Sequence, residues 1–358
     1  MMTFSEITAL QDVLARSLRA GSPAIVATLA ARDGHSYRDP GAMMVMTEAL
    51  QIVGGVSGGC LEEYIGRAGR RLLQERQSVL LSFDTATEAP DRPTLGCGGR
   101  LEILVERSQP EHLQYLDAVA QAMRTSDRAA ACISFDEAGA WPDSRRCRAV
   151  VADGQVIFGE PDAAQSLREH VQEAVTLREC LTWRGAGANR TASYIWPQPR
   201  LVIFGARDDA QPLVQIARTA SWHVVVADRR GRLASEVRFP LAQQVMAAPW
   251  EETLCGINWT PWTSAVLMTH SIEDDLRLLP ELLRLNLDYL GVLGPSARTQ
   301  RLWDAFAPAD RQRIHSPVGL PLGEKSAAAV AIAIMAELIA NRRGKRLPAR
   351  PAAGVAGS

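Results

Sequence analysis

Hydrophobic and polar positions follow two rhythms along the chain, and the change comes near residue 196. The opening MMTFSEITALQDVLARSLRAG sets acids and arginines among apolar residues at helical spacing, which predicts an amphipathic helix ending at Gly21. Ile25, Val26, Ala27, Thr28 and Leu29, within 23–31, predict a buried strand. Met43 to Met46 and Gln51 to Val53 predict two more strands, and Val79 to Phe83 and Leu101 to Val105 a further pair. Leu61, Ile65, Ala68 and Leu72 recur at helical spacing, with Glu62, Glu63, Arg67, Arg70 and Arg71 between them. A further helix is expected over Glu111 to Arg124. Ala129 to Phe135 and Ala149 to Phe158 read as strands, the latter turning at Ala152-Asp153-Gly154. Residues 1–195 therefore predict an α+β domain.

After Tyr194-Ile195-Trp196-Pro197-Gln198-Pro199, whose prolines set an extended linker, the rhythm becomes regular. Leu201 to Phe204, His223 to Ala227, Ala265 to Thr269 and Tyr289 to Leu293 are short apolar runs, several separated by helical segments, and Gln244 to Ala247 adds a further strand. Strands alternating with helices predict a doubly wound parallel sheet of Rossmann type over 196–346. Ala327 to Asn341 reads as a closing helix, apolar over most of its surface. The Pro-, Ala- and Gly-rich residues 347–358 read as a disordered tail. The fold class is α/β.

Composition narrows the function without naming it. The 358 residues are 47% hydrophobic and 22% charged, with net charge −1, so no bulk attraction to nucleic acid or an anionic membrane is expected. The longest apolar run, Ala327 to Ala336, is too short to span a bilayer. The cysteines at 60, 97, 132, 147, 180 and 255 form no CxxC pair and fit neither a disulfide framework nor a structural zinc site. Free thiols point to a reducing, cytoplasmic setting.

Candidate chemistry gathers in three stretches. The first is Gly54-Gly55-Val56-Ser57-Gly58-Gly59-Cys60, with a second glycine–cysteine cluster at Leu95-Gly96-Cys97-Gly98-Gly99. A glycine-rich loop entering a helix suits an anion, through open N–H groups and the helix dipole, and a cysteine there tends toward thiolate. A tight turn around a buried structural cysteine fits the same residues. The second stretch is the polar loop at 34–41, where Ser36, Tyr37 and Arg38 suit a phosphate or a polar ring if they are not simply a solvated loop. The third is the turn after Leu201 to Phe204. Gly205 and Ala210 follow a GxGxxA plan, and Asp228 ends the next strand where a ribose-binding acid is expected. Arg207 stands at the position of the second glycine. His270 lies past a strand end, where α/β proteins bind ligands, although Ser271 with Asp274 also reads as a helix cap.

These motifs together resemble the XdhC/CoxI family, accessory proteins that mature molybdenum hydroxylases such as xanthine dehydrogenase. The resemblance is carried by Gly34 to Ala42, Val56 to Glu62, Leu95 to Gly99, Leu201 to Ala206, Asp228 with Arg230, Thr269-His270, Tyr289 to Gly294 and Pro317 to Leu320, in family order from about residue 30 to about 340. It implies a chaperone, more than a turnover enzyme, that binds and protects molybdenum cofactor (molybdopterin, plain or cytidylated). It also implies help in sulfuration and delivery of the cofactor to an apo-hydroxylase, with a cysteine desulfurase as partner. The binding residues would be Gly55, Ser57, Gly58, Gly59, Cys60, Arg38, Cys97, Gly98, Gly205, Asp228, Arg230 and His270, with Cys60 on the metal or its transferable sulfur. Arg207 and Asp208 replace the family's usual Gly-His, so weak nucleotide affinity is expected, with Asp228 on the ribose and Arg230 at the phosphate edge. A homodimer and a ligand cleft between the domains complete the expectation. The competing classes are an NAD(P)-dependent oxidoreductase using Asp228 and His270, and a nucleotide-transferring enzyme acting on the cofactor.

Overall fold

The computed structural model describes residues 2–75, 78–84, 99–135, 147–159, 167–185, 189–342 and 344. The expected tail at 347–358 lies outside them. The chain divides into two compact units, Met1–Pro197 and Gln198–Ser358.

The first unit opens with α1 (Phe4–Arg19), begun by a capping box in which Thr3 and Glu6 exchange bonds. Next come β1 (Ile25–Asp33), β2 (Met43–Met46), β3 (Ile52–Gly54), α2 (Glu62–Glu75), β4 (Val79–Asp84), β5 (Arg100–Arg107) and α3 (Pro110–Thr125). A second series holds β6 (Ala129–Phe135), β7 (Cys147–Ala152), β8 (Gln155–Phe158), α4 (Arg168–Leu177), β9 (Cys180–Trp183) and β10 (Asn189–Ile195). They build two five-stranded sheets, ordered β3-β2-β1-β5-β4 and β8-β7-β6-β10-β9. Every pairing in both is antiparallel.

One core joins both sheets to α1 and α3, through Ile7, Leu10, Leu14, Tyr115, Val119, Val26, Ala131 and Val150. The opposite face of the first sheet packs Ile25, Ala27 and Leu29 against Leu61 and Ile65 of the α2 region. Both faces of β1 are thus covered, so it reads as a continuous apolar run. The sequence pattern did not mark α4, β9 or β10. The last of these carries Asn189, Thr191 and Ser193 at buried positions. Ser193 Oγ donates to Pro40 O at 2.8 Å, and Thr191 pairs with Thr182 at 2.9 Å. Buried hydroxyls with partners cost little, yet they erase the hydrophobic signature of a central strand. Tyr194 and Ile195, expected in the linker, close this strand.

The second unit holds β11 (Arg200–Phe204), α5 (Ala210–Thr219), β12 (His223–Ala227), β13 (Gln244–Met246), α6 (Trp250–Gly256), β14 (Thr263–Leu267), α7 (Ile272–Leu283), β15 (Tyr289–Val292), α8 (Ser296–Trp303), α9 (Pro308–Arg311) and α10 (Ala327–Arg342). The sheet order is β13-β12-β11-β14-β15, all parallel. Leu201 and Ile203 face the core with α5 and α10, while Val202 and Phe204 face α6, α7 and α8. The expected doubly wound sheet is therefore present. Its order reverses at β11, which places a ligand crevice between the carboxyl ends of β11 and β14. No helix among the described residues is long and apolar enough to cross a membrane.

Candidate functional site

In the first unit, three stretches far apart in sequence meet at one end of the first sheet. The strand β1 runs out at Asp33, opposite Arg100 at the start of β5, and β3 stops at Gly54. Gly99 is buried just before Arg100, where any side chain would strike the carbonyls of His35 at 2.6 Å and Asp33 at 2.7 Å. Only glycine allows this close approach of the two loops. Gly58 lies under the ring of Tyr37, 3.6 Å from where a Cβ would sit, and the guanidinium of Arg38 reaches to 4.0 Å of the same point at Gly55. Tyr37 itself is 79% exposed. Arg38 is held by Glu6 of α1 at 2.5 Å, and its Nε is buried without a hydrogen-bond partner among the described residues. The Glu6 contact raises the pKa of that guanidinium above its ordinary value.

The loop 55–61 is organised by a residue outside the expected set. Glu62 opens α2 and turns back on the loop. Its Oε1 accepts from the N–H groups of Val56 at 3.2 Å and Ser57 at 2.9 Å, and its Oε2 from Ser57 Oγ at 2.6 Å and Leu61 N–H at 3.1 Å. Burial pushes the Glu62 carboxyl up, but the bonds from Ser57 and the loop N–H groups outweigh it and hold it below its ordinary range. Three of the loop N–H groups expected to wait for an anion, those of Val56, Ser57 and Leu61, are thus already engaged. Gly59, at φ +102°, and the exposed Cys60 form the tip, and α2 begins two residues later. Sequence reasoning passed over Glu62 because an acid at a helix start is ordinary; the serine five residues before it is the signal that could have found it. Cys97 and Gly98 lie outside the described residues. Cys180 is a different kind of cysteine: burial pushes its thiol up to about 11, beside Ser193 and Pro40.

In the second unit, Gly205, Asp228, Arg230 and His270 gather at the carboxyl ends of β11, β12 and β14. Gly205 has φ +115°, and a Cβ there would lie 2.2 Å from Met268 O. This glycine serves the close approach of the segments leaving the paired strands β11 and β14, and its N–H donates to Ala227 O. Asp228 is buried and its carboxylate is full. Oδ1 accepts from the N–H and Nε of Arg230, and Oδ2 from Ala206 N–H and Nη2 of Arg230. A ribose hydroxyl would have to displace Arg230, which stands on the acid. The expected phosphate seat at the start of α5 also differs. Asp209 occupies its N-cap and accepts from His270 Nε2 at 2.7 Å, and exposed Asp208 holds Arg238 at 2.6 Å. His270 keeps this contact in a left-handed backbone conformation, φ +58°, uncommon for a side chain of its size. Ser271 caps α7 by accepting from Asp274 N–H, and Asp274 is bound by Arg229 and Trp250, so neither is free for a ligand.

Residues 201–338 match the family model of the XdhC Rossmann domain, and residues 17–84 match that of the XdhC and CoxI family. A protein of Bacillus subtilis (strain 168), described as a probable xanthine dehydrogenase subunit, is 28% identical to this chain over 323 residues, covering 89% of this chain and 93% of that protein. A crystal structure described as a xanthine dehydrogenase from Bacillus halodurans superposes with TM-score 0.73 at 26% identity, covering 98% of both chains. The two family models describe successive parts of one architecture and together match more than half of the sequence; the chain belongs to the XdhC/CoxI family.

Proposed function

We propose that this protein matures a xanthine dehydrogenase-type molybdenum hydroxylase by binding the molybdenum cofactor at the Cys60 loop, assisting its sulfuration and releasing it to the apo-enzyme. Family membership and the names of the two relatives support the hydroxylase connection. The observation that carries the reading is that the 33–41 stretch meets both Gly99 and the 54–60 loop, whose tip carries an exposed thiol.

The side chains there suit the cofactor, which is anionic and takes a sulfur ligand at its metal. Cys60 supplies a soft sulfur donor in water, able to engage molybdenum or its transferable sulfur. The buried, unpartnered Nε of Arg38 can take an anionic oxygen. The exposed ring of Tyr37 offers a stacking surface beside Gly58. When bound, the cofactor supplies the metal and sulfur chemistry of the hydroxylase. This chain's own residues orient it: Glu62 fixes the loop that carries the thiol, and Glu6 fixes Arg38. In this reading a cysteine desulfurase provides the sulfur, the cofactor is taken in plain or cytidylated form, and the protein works as a homodimer.

The test is to express wild-type protein and Cys60→Ala beside the cofactor-making pathway, then measure molybdenum and pterin after purification. Wild type carries both, and the variant carries neither at unchanged circular dichroism. A variant that retains as much molybdenum as wild type overturns the reading. Light scattering and pull-down of the hydroxylase and desulfurase check the dimer and partners.

A further inference from the structure

A glycine-rich loop entering a helix ordinarily leaves its N–H groups open to an external anion. In this loop the seat is filled from within. An ionised carboxylate has about four lone-pair sites. Those of Glu62 are matched by the N–H groups of Val56, Ser57 and Leu61 and the hydroxyl of Ser57. Glu62 is 8% exposed and Ser57 is 8% exposed, so solvent does not compete for these bonds. Cys60, by contrast, lies at the exposed tip.

We infer that Glu62 is a positioning residue that takes the place of an external anion in this loop, closing the loop around its own carboxylate and leaving the thiol as the group offered to a ligand. The loop therefore presents its thiol to a thiophilic centre, while the N–H groups of Val56, Ser57 and Leu61 are closed to a phosphate. An anionic tail on the ligand has to find its donor elsewhere, at Arg38. The functional meaning rests on the Cys60 reading given above, but the test uses no molybdenum, so the two can fail separately. With Glu62 truncated, the helix-end donors are freed. With the loop no longer closed on its own carboxylate, Cys60 is expected to react roughly twofold to fivefold faster with an alkylating reagent.

The experiment follows iodoacetamide alkylation of Cys60 by peptide mass spectrometry at neutral pH, in full-length wild type, Glu62→Ala and Glu62→Gln. Wild type is expected to react at the same rate with and without millimolar inorganic phosphate. Glu62→Ala reacts roughly threefold faster, and formate or phosphate, filling the vacated seat, returns the rate toward wild type. Protection of wild-type Cys60 by phosphate overturns the inference, because it means the donors are open. A folded Glu62→Ala with the wild-type rate and no response to formate also overturns it. Should that variant not fold, Glu62→Gln keeps the volume and one acceptor oxygen. Faster alkylation is expected there, and an unchanged rate counts against the role.

Discussion

Replacing Arg230 by alanine probes what Asp228 does in the Rossmann-type unit. Asp228 holds four N–H donors, and the Arg230 side chain supplies two of them through Nε and Nη2. Breaking a buried ion pair by removing one partner costs about 3–5 kcal/mol. The Arg230 side chain is 37% exposed, so water reaches the acid from that side and the two backbone N–H groups remain. The expected loss at neutral pH is therefore about 2 kcal/mol. In a unit of this size that lowers the melting temperature by roughly 4–8 °C. Burial pushes the Asp228 carboxyl up, and Arg230 with the N–H groups outweighs it, so the folded value lies below the ordinary 3.8. A depressed carboxyl stabilises the fold above its unfolded pKa, and that stabilisation is lost as pH falls through the folded value. The gap between wild type and variant should thus be full at pH 7 and close in acid. Thermal and urea unfolding followed by tryptophan emission across pH measures it. The same variant uncovers acceptor sites on Asp228, and calorimetric titration should find NAD bound more tightly than by wild type. A variant within about 0.5 kcal/mol of wild type at pH 7, with no gain in NAD binding, would refute the reasoning.

Other outcomes follow from the same geometry. Gly205→Ala forces a Cβ to 2.2 Å from Met268 O at φ +115°, and should destabilise the second unit by about 3 kcal/mol or more, read as lost soluble yield or a lower urea midpoint. Brief alkylation of the native protein should label exposed Cys60 and Cys255 and spare buried Cys132 and half-buried Cys180, whose thiol is pushed up to about 11; mass spectrometry reads the order, and early labelling of Cys180 would contradict its placement. Wild type should bind NAD and NADP weakly and reduce no dye at the expense of NADH, because Arg230 fills the ribose acid and Asp209 the phosphate seat; tight binding with dye reduction would favour an oxidoreductase.

The doubly wound half was legible because its strands are short and largely apolar, and all but the edge strand β13 are buried on both faces. Its glycine turn was legible as a turn, since Gly205 meets a steric demand that no other residue satisfies. The antiparallel half was legible only where hydrophobic alternation survived. At β10 the buried Asn189, Thr191 and Ser193 hide the strand; Thr191 bonds Thr182 and Ser193 bonds Pro40, which makes those two hydroxyls compatible with burial. In the candidate sites, Cys60, Ser57, Arg38 and Tyr37 were recognisable as chemistry-bearing residues, but their partners were not. Glu6 and Arg38 are 32 positions apart.

Local sequence decided which segments become helix, strand or turn, since side-chain period and glycine placement act over a few residues. It also decided which family motifs the chain carries. Occupancy of the donors was decided by the folded geometry, within a few residues for Glu62 and Arg230 and across the chain for His270. Whether an N–H group waits for a ligand or is already satisfied depends on which side chain reaches it in space. Glu62 satisfies the loop before Cys60, Arg230 satisfies Asp228, and His270 meets Asp209 across 61 residues. A buried polar group must be paired, and the fold chooses the partner. The same glycine-rich pattern that reads as an open anion cradle is therefore, once folded, a closed loop with a thiol at its tip.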